Sequence, residues 1–81
     1  MSKIFRASET KEIEYFLDTN EKVSFKLKDI ILDELSQKTK RYSEGIIWLM
    51  TESEKMVIDV FNFKGEVFET ETFYYKDFPN L

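Results

Sequence analysis

Residues 46–75 read IIWLMTESEKMVIDVFNFKGEVFETETFYY, and the fold turns on how this stretch is divided. Ile46 to Thr51, Met56 to Phe63 and Val67 to Tyr75 are rich in β-branched and aromatic residues, and Glu52-Ser53-Glu54 and Lys64-Gly65 separate them. Short segments of that composition bounded by turn residues predict three strands joined by hairpins. Gly65 suits the positive φ of a type I turn followed by a bulge.

Side-chain parity decides which face each strand presents, because a slip of one residue turns every side chain over. Pairing Thr51 with Lys55 and Asn62 with Glu66 places Ile46, Trp48 and Met50 on one face with Met56, Ile58, Val60, Phe68, Thr70, Thr72 and Tyr74. That face carries no charge and is the expected core. The odd registers would set Glu69 and Glu71 beside Val60 and Ile58, which disfavours them. The other face then carries Ile47, Leu49, Val57, Phe61, Val67, Phe73 and Tyr75 together with Asp59, Glu69 and Glu71. A face meant only for water would be cleaner.

Upstream, Asp29 to Lys38 has apolar residues at 30, 31, 32 and 35 in helical spacing. Asp29 is the expected N-cap. Asp33 and Glu34 lie toward the positive end of the helix dipole, and Lys38, Lys40 and Arg41 toward the negative end. Val23, Phe25 and Leu27 alternate with Ser24, Lys26 and Lys28, as in a strand. Ile13, Tyr15 and Leu17 alternate too and pair with them as a hairpin across Asp18 to Lys22. Ile13, Phe16 and Leu17 also fit a helix capped by Ser8 with Glu9 and Glu12 near its start. The expected order is ββαβββ, with αβαβββ as the alternative. Both describe an α+β fold: a small antiparallel sheet with one main helix on one face. The 81 residues make a single domain spanning 1–81. Pro79 ends the last strand, since it cannot donate to a ladder, and Phe78 and Leu81 are placed to fold back or to serve as a short docking tail.

Composition narrows the chemistry. The chain has no His and no Cys, which excludes thiolate zinc sites, disulfides and any Ser-His-Asp or Cys-His arrangement within it. Gly45 and Gly65, its two glycines, are too far apart for a phosphate-binding loop. No enzyme activity, cofactor or metal is therefore expected. Asp59, Glu69 and Glu71 could offer oxygen ligands to Mg²⁺ or Ca²⁺, but no ligand-loop spacing supports that. No apolar run approaches the length of a membrane span, and the N-terminal residues lack a signal-peptide pattern, so a cytoplasmic protein without membrane contact is expected.

The net charge of −4 is uneven: residues 1–43 carry nine basic and eight acidic groups, and residues 44–81 three basic and eight acidic. An acidic chain does not draw a phosphate backbone by long-range attraction, so nucleic acid is not the expected partner. Lys38, Lys40 and Arg41 are the one basic cluster, and the end of a helix dipole already explains them. One helix covers one sheet face, so the second must meet the N-terminal segment, a second copy or another protein. Aromatics with acids suit a protein interface. The expected function is a small protein-binding regulator or inhibitor acting through Asp59, Phe61, Glu69, Glu71, Phe73 and Tyr75. Small inhibitors, phage-encoded ones among them, share this size and charge. Two alternatives are an acidic nucleic-acid mimic and a weak nucleic-acid binder acting through Lys38, Lys40 and Arg41.

Overall fold

The computed structural model describes residues 2–41, 45–62 and 64–79, with the backbone alone for 38–41. The elements run β1 (Ser2–Arg6), α1 (Thr10–Asp18), α2 (Phe25–Arg41), β2 (Ile46–Thr51), β3 (Lys55–Phe61), β4 (Val67–Tyr74) and a single 3-10 turn, Tyr75–Asp77. The four strands form one antiparallel sheet in the order β1-β2-β3-β4. Both helices pack on one face of it. The fold is therefore α+β, with the order βααβββ in place of ββαβββ or αβαβββ.

The N-terminal half departs from the preferred order: Ser2–Arg6 adds a strand, residues 10–18 take the helical alternative with Glu9 and not Ser8 at the N-cap, and residues 25–27 belong to a helix. Residues 10–18 are helical, with Ile13 and Leu17 buried and the Phe16 ring edge-on to Phe5 at 5.6 Å. Val23, Phe25 and Leu27 are not a strand. Helix α2 begins at Phe25, and the buried Ser24 caps it: its Oγ accepts from the Leu27 N–H at 3.0 Å, the N-cap bond. Asp29, the expected cap, is an exposed residue inside the helix. Leu27, Ile31 and Leu35 then form one buried stripe at intervals of four. Lys28 sits in a first turn without acids, a poor place for a cation. Its Nζ reaches Asp18 Oδ1 at 2.8 Å and Glu14 Oε1 at 3.9 Å, so α1 supplies the compensating charge and is tied to α2.

The second correction concerns register. Thr51 pairs with Met56, one residue off the expected Lys55, because the Glu52 N–H donates to the Lys55 carbonyl and closes a two-residue turn at Ser53-Glu54. At the next turn the expected pairing holds. Asn62 N–H donates to the Glu66 carbonyl, Asn62 Oδ1 accepts from the Lys64 and Glu66 N–H groups, and Gly65 takes φ +84°. Phe61 then pairs with Val67, but Val60 pairs with Glu69, so Phe68 is an extra residue in a β-bulge. The bulge reverses the parity of β4 beyond it.

The rows across the sheet follow. On the helix-covered face run Phe5-Ile47-Val60-Glu69, Lys3-Leu49-Ile58-Glu71 and Thr51-Met56-Phe73. On the other run Arg6-Ile46-Phe61-Val67, Ile4-Trp48-Asp59-Thr70, Ser2-Met50-Val57-Thr72 and Lys55-Tyr74. The core lies between the helices and the first set: Phe5, Ile47, Leu49, Met56, Ile58 and Val60 are buried with Ile13, Leu17, Leu27, Ile31 and Leu35. Phe78 folds back against Phe73 at 6.1 Å between ring centroids. Leu81 lies outside the described residues.

Candidate functional site

The open face of the sheet is built from alternate residues of all four strands. At its centre is Trp48, flanked across the ladder by Ile4 and Asp59. Ile46 and Phe61 form the row on one side, Met50 and Val57 the row on the other. Neither helix reaches this side. Ile4 is 57% exposed and Tyr74 42%, while Trp48, Met50, Val57 and Phe61 are half-buried.

Two polar contacts lie within this face. The Thr70 hydroxyl donates to Asp59 Oδ1 at 2.7 Å across β3 and β4. The Lys55 ammonium lies over the Tyr74 ring, 5.7 Å from its centroid. Among the described strand residues, Asp59 is the face's one carboxylate, against the cations Arg6 and Lys55. The surface is consequently apolar and aromatic with a near-neutral balance, although the chain as a whole carries −4.

The six residues singled out from sequence do not share this surface. Asp59 and Phe61 lie on it. Glu69, Glu71 and Phe73 lie on the helix-covered face, opposite Val60, Ile58 and Met56. Tyr75 opens the 3-10 turn beyond β4 and packs against the core. The expected aromatic and acidic stripe is thus split between two faces. Glu69 and Glu71 sit where β4 forms an edge of the sheet. Their half-buried side chains point inward there, a recurrent device for discouraging edge-to-edge association. Ile46, Trp48 and Met50, with Thr70, Thr72 and Tyr74, are residues that sequence reasoning assigned to the core face and the structure places on the open face. The signal that could have found the first three is the two-residue span Ser53-Glu54, a commoner hairpin length than three.

A cleft of about 670 Å³ lies between the α1–α2 connection and the β2–β3 turn, lined by Phe16, Asn20, Lys22, Glu52, Ser53 and Tyr75. The Lys22 ammonium donates across it to the Ser53 carbonyl at 2.9 Å. Among the described residues there is no group of three or more carboxylates placed to hold a metal ion. The Lys38, Lys40 and Arg41 side chains lie outside the described residues, and their backbone forms the end of α2. Among the described residues no helix is long and apolar enough to cross a membrane.

No protein-family model matches the chain, and no curated protein or solved structure is significantly similar to it.

Proposed function

We propose that the protein is a non-catalytic binding module that works through the open face of its sheet, regulating or inhibiting what it covers by occupying it. The observation that carries this reading is the contiguous surface of Ile4, Ile46, Trp48, Met50, Val57 and Phe61 on the side away from both helices. Contiguous apolar patches of this kind are uncommon on monomers and mark interaction sites. Trp, Tyr and Phe at the centre of a patch are the residues that most often anchor protein interfaces. The sheet supplies them on rigid, hydrogen-bonded backbone, so little ordering accompanies binding.

Relative to the expectation from sequence, the anchor set becomes Trp48, Phe61 and Tyr74 in place of Phe73 and Tyr75. The acids Glu69 and Glu71 pass from contact residues to guards of the sheet edge. An acidic mimic of nucleic acid loses support accordingly, because the carboxylates and the aromatics face opposite ways.

The test compares the wild type with a Trp48→Ser/Phe61→Ser double variant and a Glu69→Gln/Glu71→Gln double variant. Affinity capture and light scattering are read side by side, with thermal unfolding as the check on folding. The reading expects the first variant to lose every complex, self or foreign, and the second to keep them. Complexes that survive Trp48→Ser/Phe61→Ser overturn it.

A further inference from the structure

Resting on the open face as the binding surface, we infer that its occupant is a second copy of this chain, giving a dimer in which two sheets stack face to face and the helices lie outside. Charge distribution is the first argument. A heterologous partner recognised by charge would be basic, drawn to a chain of −4. The open face offers such a partner little: Asp59 is its one described carboxylate, and it is engaged by Thr70. The described acids are concentrated elsewhere, on the helices, the turns and the inner side of β4. Two open faces can therefore meet with few charges between them, since the described strands place only Arg6, Lys55 and Asp59 there. Self-complementarity of one patch is what a twofold interface requires.

Size is the second argument. Strands of five to eight residues in a four-stranded sheet give a face roughly 20 Å by 20 Å, about 400 Å² in projection. The accessible area of the corrugated side chains exceeds that projection. It approaches the roughly 600 Å² per partner at the lower end of stable interfaces. Stacked sheets packed about 10 Å apart interdigitate side chains such as Trp48 and Phe61.

The third argument disfavours one register of the competing route. The sheet could also self-associate by pairing β4 with the β4 of another copy. A twofold pairing centred on Thr70 would set Glu69 of each copy opposite Glu71 of the other, a like-charge contact across strands. The face lacks that penalty.

Sedimentation velocity of the full chain over a wide concentration range tests the proposal, in low and in high salt. The expected result is a monomer–dimer equilibrium that persists in high salt, because apolar burial drives it. Trp48→Ser/Phe61→Ser should raise the dissociation constant at least about tenfold, as should Ile4→Lys, which alters an exposed position with little risk to folding. A dimer unaffected by Ile4→Lys and Trp48→Ser/Phe61→Ser but broken by Thr72→Pro would assign association to the β4 edge and overturn the inference. A wild type that stays monomeric throughout also overturns it. In that case the binding-face reading is judged separately, by whether Trp48→Ser/Phe61→Ser abolishes complexes with other proteins, or with an oligonucleotide or lipid vesicle added as probe.

Discussion

Asp59 and Thr70 are directly opposed across β3 and β4, and the Thr70 hydroxyl donates to the Asp59 carboxylate at 2.7 Å. The pair lies in the same row as Ile4 and Trp48. It fixes the register of the edge strand from the open side and engages a carboxylate that would otherwise interrupt an apolar surface. Thr70→Val keeps the side-chain shape and removes the donor. The expected loss is about 1 kcal/mol, the usual net value of one hydrogen bond. A lower urea midpoint at unchanged slope checks it.

Helix α2 starts at the Ser24 cap. Ser24→Ala removes the acceptor for the Leu27 N–H inside a buried site, and the expected cost is about 1 kcal/mol. Asp29→Ala, at an exposed position four residues into the helix, should cost less than about 0.5 kcal/mol. Paired urea titrations of the two variants decide between these start points.

Gly65 takes φ +84°, and a side chain added there would meet nothing within 4 Å. The cost of Gly65→Ala is therefore conformational alone, about 1 kcal/mol, and Gly65→Asn should cost less because Asn tolerates this region better. Thermal unfolding of the two variants should rank them in that order.

These features differ in how far they could be read from residues alone. Gly65 in its turn, the three C-terminal strands and the Ile31–Leu35 part of the α2 stripe are local signals, and each was legible, whereas Leu27 read as strand. The pairing of Thr51 was not. One residue decides it, and the choice between a two- and a three-residue turn depends on hydrogen bonds among Glu52, Ser53, Glu54 and Lys55. The charge criterion also misled, since it assumed that a core face excludes Glu69 and Glu71. At this edge strand Glu69 and Glu71 point inward and are half-buried, so the helix-covered face accommodates them. The bulge at Phe68 compounded this by reversing parity within β4. The start of α2 was hidden because Lys26 and Lys28 oppose a helix dipole locally, and the offsetting Asp18 and Glu14 lie on another element.

The Lys28 contact has a defined pH signature. The hydrogen bond that Lys28 donates to Asp18 raises the Lys28 pKa above its ordinary 10.5, burial opposes the rise, and the charges of Asp18, Glu14 and Asp29 add to it. A raised pKa on a cation stabilises the fold fully below the unfolded value, and that contribution is lost as pH rises through the folded one. The wild type should therefore exceed Lys28→Met in melting temperature at neutral pH. On the alkaline side the gap should narrow above about pH 10.5, and salt should reduce it because the pair is partly exposed.

Trp48 is the chain's one tryptophan and stands at the centre of the open face, so its fluorescence reports whether that face is covered. The direct measurement is Trp48 emission and acrylamide quenching as the purified protein is diluted from high micromolar to nanomolar concentration. Stacking of two open faces predicts blue-shifted, quencher-protected emission at the high end, moving to red-shifted, quenchable emission on dilution. A spectrum and quenching constant that stay the same across the whole range would contradict it.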